Sequence, residues 1–277
     1  MRRGFIDDDN GRQIHFRQAG AGQSATPLLA LHGCPGSARQ LVPLINAMSL
    51  SRPVFAPDLP GLGDSDPLAS PDSEIGDYAA AILRFADHAG LERFDIYGTH
   101  TGASVACELA IHAPQRVGRI IADGLGCFDA ETARAFLEHY APAFEPTLDG
   151  SYLQQAFHFC RDQLLFFPWY DKRAEARRKG GMMPAEALDA WVIEVLKAGT
   201  TYRHAYHAAF RWDWAGRLPQ VPHQILVTAA QDDPLASMTE HATPLLPQGR
   251  WASLPSFGDP AFASMRQALF TEFLDGA

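Results

Sequence analysis

The sequence places a histidine at the centre of a glycine-flanked turn, Gly98-Thr99-His100-Thr101-Gly102. An imidazole gains and loses a proton near neutral pH, so His100 could act as a general base or, less readily, as a nucleophile. A carboxylate that bonds to the ring would orient it and stabilise its protonated form. Two aspartates late in the chain could do this, Asp233 and Asp259. If Asp259 contacts the ring, the pKa of His100 should lie above its reference value of about 6.5.

Each of these residues also has a purely structural interpretation. Asp233 stands in the turn-forming run Asp232-Asp233-Pro234, and Asp259 precedes Pro260, where a carboxylate would cap a helix. A turn that has lost its chemistry could accept many side chains at position 100. Glycine or alanine would relax such a turn, however, so a bulky imidazole favours a chemical role. The sequence alone does not show whether the histidine at position 100 is natural or was introduced by substitution.

The turn must be held by a strand before it and a helix after it. Apolar residues precede it in the run Phe94-Asp95-Ile96-Tyr97, and from Ala103 onward apolar residues recur at helical spacing. The two glycines allow strand and helix to pack closely. This geometry would leave His100 strained and exposed at the carboxyl end of its strand.

Strand and helix patterns alternate through most of the chain. Buried strands are predicted near 27–33, 53–58, 94–97, 118–123, 224–230 and 250–254, and Asn10-Gly11 is a strong hairpin signal. From about 127 to 218 the pattern is helical and rich in aromatic residues, without strand signals. The prediction is an α/β protein with a doubly wound, mostly parallel sheet. The sheet core would comprise 1–126 and 219–277, and 127–218 would form an inserted helical cap.

Four separated motifs each follow a predicted strand in this order. They are His32-Gly33-x-Pro35-Gly36, then Asp58-x-Pro60-Gly61-x-Gly63-x-Ser65, the turn around His100, and Asp232-Asp233-Pro234. Together they resemble the α/β-hydrolase superfamily, in particular its lidded members: epoxide hydrolases, haloalkane dehalogenases and C–C-bond hydrolases. The turn around His100 matches the nucleophile elbow of that superfamily, where serine is usual.

The resemblance implies further site residues. The backbone N–H groups of Cys34 and Thr101 would form an oxyanion hole. Asp233 would be the acid of the triad, with Asp232 as the less favoured register. The position of the usual catalytic histidine falls on Asp259, and no histidine follows His241. The chain therefore departs from the family at two of the three triad positions.

The pocket is expected between the sheet and the cap. His32 is placed there as an organiser of the loop behind the oxyanion hole, and His158, Trp169, Tyr170 and Trp212 are expected to roof it. His204 and His207 are three residues apart, but no third ligand is evident, so no metal site is predicted.

Composition narrows the class of partner. A net charge of −9 argues against a nucleic-acid partner. The N-terminal residues lack the apolar region of a signal peptide, and no apolar run approaches the roughly 18 residues of a membrane span. We expect a soluble cytoplasmic protein that needs no cofactor and binds a small-molecule substrate. The sequence leaves open whether the protein forms a homodimer.

The functional hypothesis is an enzyme with a non-standard triad. It would act on a small, largely apolar carbonyl- or ester-type substrate, with His100 as general base and hydrolysis as the default reaction. Lyase, isomerase and cyclase chemistry stay open, because a base without a serine nucleophile also suits proton transfer. The alternative is a catalytically silent homologue that binds a small molecule in the same pocket.

Overall fold

The computed structural model describes residues 1–8, 11–22 and 24–276, and its centre is an eight-stranded sheet. The strand order is β1-β2-β4-β3-β5-β6-β7-β8. Strands β1–β2 and β2–β4 pair antiparallel, and the other five pairs are parallel. The strands are β1 Arg2–Asp7, β2 Gln13–Ala19, β3 Leu28–Leu31, β4 Val54–Pro57, β5 Phe94–Thr99, β6 Val117–Asp123, β7 Ile225–Ala230 and β8 Gly249–Leu254.

Helices lie between most of the parallel strands. They are α1 Val42–Met48, α2 Ile75–His88, α3 Thr101–His112, α4 Ala130–His139, α5 Ser151–Leu165, α6 Ala185–Ala198, α7 Tyr202–Arg211, α8 Trp214–Arg217, α9 Ala236–Ala242 and α10 Phe262–Asp275. Short 3-10 turns cover Ala38–Leu41, Ala174–Ala176, Leu218–Gln220 and Thr243–Leu245. The predicted α/β class with a mostly parallel sheet is confirmed.

The sheet is buried on both faces, as its apolar strands require. In β3, Leu29 and Leu31 face the cluster that packs α2 and α3, whereas Leu28 and Ala30 face α1 and α10. Successive side chains of a strand point to opposite faces, so a strand covered on both sides reads as a continuous apolar run. This explains why the short central strands could be located from the sequence.

The segment between β6 and β7 contains α4 to α8, and its apolar side chains share one buried cluster with the sheet. A carboxylate ties its end to α3. Glu108 accepts hydrogen bonds from both Nε and Nη2 of Arg217 and from the indole N–H of Trp212, at 2.6 to 2.7 Å. Although burial opposes the charge, these donors lower the pKa of Glu108. The division into core and cap stays a prediction, since the two share this packing.

Two further expectations concern the N-terminal hairpin and membrane-spanning helices. The first two strands form the predicted hairpin, but Asn10 of the expected turn lies outside the described residues. Within the described ranges, no helix is long and apolar enough to cross a membrane.

Candidate active site

His100 occupies a sharp elbow between the end of β5 and the start of α3. Its backbone dihedrals are φ 50° and ψ −117°, and no other described residue except glycine has a positive φ. A Cβ at Gly98 would lie 2.2 Å from the carbonyl oxygen of Gly102, and one at Gly102 would lie 2.5 Å from that of Leu31. The two glycines therefore permit the predicted close packing, and the strain falls on His100.

The imidazole of His100 bonds to the carboxylate of Asp233, which follows β7. The distance from His100 Nε2 to Asp233 Oδ2 is 2.8 Å, and Asp233 Oδ1 accepts the N–H of Leu235 at 2.8 Å. A carboxylate only accepts hydrogen bonds, so Nε2 carries the proton and Nδ1 keeps a free lone pair. A Cβ at Gly33 would lie 3.5 Å from that Nδ1, so the free nitrogen lies beside the loop that follows β3.

The pair shifts both titrations toward the charged forms. Burial opposes the imidazolium, but the Asp233 carboxylate outweighs it and raises the pKa of His100. Burial likewise opposes the carboxylate, but His100 and the Leu235 amide lower the pKa of Asp233. The expected direction of the His100 shift is therefore present, with Asp233 as its source.

The expected contact between Asp259 and His100 is wrong. Asp259 is exposed, and its Oδ1 accepts the N–H of Ala261 at 2.8 Å in the turn before α10. In the described residues it makes no contact with the imidazole. The alternative role as a helix cap is not observed either, because the N-cap of α10 is Ala261 and has no side-chain cap bond; Asp259 stabilises the turn that precedes the helix. Asp232 is also turned away from the imidazole, since its Oδ1 accepts the N–H of Phe257.

The predicted oxyanion residues lie beside His100. Cys34 and Thr101 both line the same cavity as the imidazole. Thr101 is the first residue of α3, where backbone N–H groups have no partner within the helix. Burial raises the pKa of the Cys34 thiol, which therefore stays protonated and unreactive. The use of the two amides as an oxyanion hole remains a prediction.

A cavity of about 860 Å³ opens above the elbow. Its lining is mainly apolar and includes a broad aromatic wall, and its polar members include His100, Asp123, Arg178 and Asp233. Most of its aromatic residues come from the β6–β7 segment, namely Phe128, Phe136, Tyr140, Phe167, Trp191, Tyr206 and Phe210, and Tyr97 and Phe257 complete the set.

His32 was expected in this pocket, but it lies outside the lining. It is fully buried, its Nε2 accepts the N–H of Leu59 at 2.8 Å, and its Nδ1 is 2.9 Å from the carbonyl oxygen of Gly33. Burial lowers its pKa, so the ring is neutral. These two bonds join the loops after β3 and β4, which agrees with the expected role as a loop organiser.

The four residues predicted to roof the pocket do not line it either. The indole N–H of Trp169 donates to the carbonyl oxygen of Tyr140 at 2.8 Å, and that of Trp212 donates to Glu108. Tyr170 packs edge-on against Tyr140 and Trp169. His158 is exposed on α5. The predictions failed because the three aromatic rings form packing contacts between elements and the histidine faces solvent, and composition does not distinguish these positions from the lining of a cavity.

Three residues that the sequence analysis missed lie against the imidazole. A Cβ at Gly124 (φ +68°) would come within 2.5 Å of His100 Cδ2, so only glycine leaves room for the ring. Arg178 lines the cavity and donates to the carbonyl oxygens of Gln163 and Asp232. Its positive charge lowers the pKa of His100 and so acts against the effect of Asp233. Asp123, the last residue of β6, also lines the cavity. Its position after a predicted strand was the only signal available.

One group of possible metal ligands occurs in the described residues, away from this cavity: His15, Asp58 and Asp64. Asp58 Oδ2 already bonds to His15 Nδ1 at 2.8 Å, and its two oxygens accept the amides of Ala38 and Asp64. These bonds explain the group as a structural link between β2 and the loop after β4.

Comparison with known proteins places this architecture in a family. A family model described as alpha/beta hydrolase fold matches residues 26–262. A 2-hydroxy-6-oxo-6-phenylhexa-2,4-dienoate hydrolase from Comamonas testosteroni is 25% identical over 239 residues, covering 79% of this chain and 74% of that protein. A 2-hydroxy-6-oxononadienedioate/2-hydroxy-6-oxononatrienedioate hydrolase from Pseudomonas putida is 35% identical over 121 residues. That alignment covers 41% of each chain, and other relatives at 34% identity are matched over 29% and 37% of their length.

The solved structures agree on the fold. A hydrolase from Pseudomonas aeruginosa PA01 superposes with a TM-score of 0.75 at 19% identity, covering 99% of this chain and 98% of that one. The two relatives named above are hydrolases by name, which agrees with the predicted class of enzyme. Because the family model spans most of the chain, this protein belongs to the α/β-hydrolase fold family.

Proposed function

We propose that the protein is a hydrolase of small, largely apolar esters or lactones in which His100 acts as a general base on water. The observation that carries the proposal is the 2.8 Å bond from His100 Nε2 to Asp233 Oδ2 at the cavity floor. This bond fixes the tautomer and leaves Nδ1 free to accept a proton. A side chain held in a strained backbone conformation at such a place favours a chemical role over a structural one.

The proposed reaction needs one water molecule. His100 Nδ1 removes a proton as the water oxygen attacks the ester carbonyl carbon, and the Asp233 carboxylate stabilises the resulting imidazolium. The amides of Cys34 and Thr101 would hold the negative charge that develops on the carbonyl oxygen. The bond to the leaving oxygen then breaks and that oxygen takes up a proton, which yields a carboxylic acid and an alcohol, and loss of the imidazolium proton restores the base.

The same base could remove a proton from a carbon next to a carbonyl group. Hydrolysis is preferred because the relatives at wide coverage are named as hydrolases. Their substrates are not carried over to this chain, since the identity is low and the relatives differ among themselves.

The test compares wild type with His100→Ala on p-nitrophenyl esters and aliphatic lactones. We expect turnover by wild type and a loss of about 100-fold or more in His100→Ala, the usual contribution of a general base. Asp259→Asn is the matched control and should keep its activity, since Asp259 is exposed and an asparagine oxygen can accept the same turn bond from Ala261. Equal rates for wild type and His100→Ala would contradict the proposal.

Thermal denaturation with the same panel of compounds separates the alternative. If the protein is a catalytically silent homologue, ligands should raise the melting temperature of both wild type and His100→Ala, and neither protein should turn any of the compounds over.

A further inference from the structure

Asp123 is held against the elbow by the backbone. Its carbonyl oxygen accepts the N–H of His100 at 2.9 Å, and its Cα pairs with that of Thr99 across β5 and β6. Its side chain lines the same cavity as the imidazole. Two carboxyl-bearing residues therefore line the cavity with His100, namely Asp233 after β7 and Asp123 at the end of β6.

The two carboxyl groups have opposite surroundings at similar depth. Asp123 is 7% exposed and Asp233 is 6% exposed. Asp233 bonds to an imidazole and to a backbone amide. The carboxyl group of Asp123 forms no ion pair with any described residue, and its one hydrogen bond within the described residues comes from the hydroxyl of Tyr97, at 2.7 Å.

This difference keeps Asp123 largely protonated under mildly acidic conditions. Burial raises its pKa to about 6, and the nearby Asp233 carboxylate adds to this. The Tyr97 hydrogen bond and the positive charges of His100 and Arg266 act in the opposite direction. The two carboxyl groups are therefore driven toward opposite states, so that Asp123 can hold a proton while Asp233 stays ionised beside the imidazole.

Tyr97 fixes which oxygen of Asp123 is available. The ring is 3% exposed and packs against Phe270 of α10, and its hydroxyl donates to Asp123 Oδ2. Oδ2 is thus occupied as an acceptor. A proton on Asp123 would therefore reside on Oδ1, which has no partner among the described residues.

We propose that Asp123 is the general acid of the reaction and that Tyr97 is its positioning residue. The inference rests on the proposed function. As His100 takes a proton from water, Asp123 Oδ1 gives its proton to the leaving oxygen while the bond from carbon to that oxygen breaks. The imidazolium proton later returns to the Asp123 carboxylate through solvent, so the ester and water yield the acid and the alcohol with no net change in the enzyme.

The pH profile follows from the two required states. The base must be unprotonated and the acid protonated, so activity on esters with poor leaving groups should rise and then fall with pH. The two limbs belong to the coupled pair rather than to either residue. Without the acid only the rise remains, because deprotonation of His100 is then the only requirement.

The test uses two esters of one acid, methyl butyrate and p-nitrophenyl butyrate. Methoxide is a poor leaving group that needs a proton, whereas p-nitrophenolate leaves without one. Asp123→Asn keeps an acceptor for Tyr97 but has no proton to give. We expect kcat/KM for the methyl ester to fall about 100-fold and to lose its alkaline fall, with less than about a threefold change for the p-nitrophenyl ester.

A merely structural Asp123 would lower both rates equally and leave the shape of the profile unchanged, and this result would overturn the inference. Tyr97→Phe supplies a second measurement, because loss of its hydrogen bond should raise the pKa of Asp123. Since the pKa of Asp123 lies below the raised pKa of His100, this change should move the acid-side limb of the profile to higher pH and raise the maximal rate on the methyl ester. Failure of the proposed function is a different result, in which His100→Ala retains wild-type rates on both esters. A readout without substrate is carbon-13 NMR titration of the Asp123 carboxyl group, and a midpoint at or below about 3.9 would also overturn the inference.

Discussion

The substitution Asp233→Asn tests the site at the level of single atoms. In wild type, Asp233 Oδ1 accepts the Leu235 N–H and Oδ2 accepts His100 Nε2–H. An asparagine must keep its oxygen toward the Leu235 amide, because the other orientation would place two donors against each other. Its NH₂ group would then face His100 Nε2. The imidazole must then present a lone pair at Nε2 as the acceptor, so its proton moves to Nδ1. Nδ1 can no longer accept a proton from water, and the site loses its base.

The expected effects differ in size. Loss of the base should lower kcat/KM by about 10²- to 10⁴-fold. The pKa of His100 should fall, since the carboxylate that stabilises the imidazolium is gone while burial, which disfavours it, remains. Loss of a hydrogen bond between charged partners costs about 1.5–3 kcal/mol of unfolding free energy. The lower end applies here, because 36% of the His100 side chain is accessible and solvent screens the pair.

The stability difference should depend on pH. The pKa of His100 is raised on folding, so its contribution is complete below about 6.5 and is lost as pH rises through the folded value. The pKa of Asp233 is lowered, so its contribution is complete above about 3.9 and is lost as pH falls through the folded value. Wild type should therefore exceed Asp233→Asn most between about pH 3.9 and 6.5.

Three measurements check this prediction: ester hydrolysis, denaturant unfolding across the pH range, and histidine NMR for the pKa and tautomer of His100. Asp259→Asn serves as the control with the same chemical change at an exposed carboxylate. Unchanged titration and unchanged rates in Asp233→Asn would refute the reasoning, whatever the stability result.

Three further substitutions test neighbouring features. Gly124→Ala should reduce kcat/KM about 100-fold, because the new Cβ would lie 2.5 Å from the His100 ring and displace it. An unchanged kcat/KM would show that the ring can shift without loss of activity. Arg178→Gln should raise the pKa of His100, since the guanidinium disfavours the imidazolium, and NMR titration would reveal a shift in either direction. Glu108→Gln should cost about 1–3 kcal/mol at pH 7, because Arg217 loses its charged partner. That loss should shrink as pH falls through the lowered pKa of Glu108 in wild type, and a constant difference in unfolding experiments would contradict it.

The sequence predicted the sheet and the elbow well, because both depend on local patterns. The strand Leu28–Leu31 and the strand Ile225–Ala230 are buried apolar runs, and the elbow needs glycine at fixed positions around His100. Such features are set by the backbone and by burial. They do not require knowledge of which distant side chains meet.

The partner of His100 could not be chosen from the sequence. Asp233 and Asp259 both follow late strands, and each had a credible structural role. The choice is made by side-chain reach, since the carboxylate of Asp233 in the loop after β7 bonds to His100, whereas that of Asp259 bonds to the Ala261 amide in the turn before α10. Gly124 was missed for a related reason, because its importance lies in the absence of a side chain beside the ring.

The position of the imidazole also bears on the number of chemical steps. In the enzymes that the motifs resemble, a histidine after the last strand connects the elbow hydroxyl to the acid. Here the ring is on the elbow itself and reaches Asp233 directly, so no hydroxyl or thiol stands at position 100 to form an acyl-enzyme. Water should attack the substrate in a single displacement, and rapid mixing with p-nitrophenyl esters should release p-nitrophenol without a burst. A burst equal to the enzyme concentration would mean that His100 Nδ1 attacks the carbonyl carbon itself, which would replace the general base with a nucleophile.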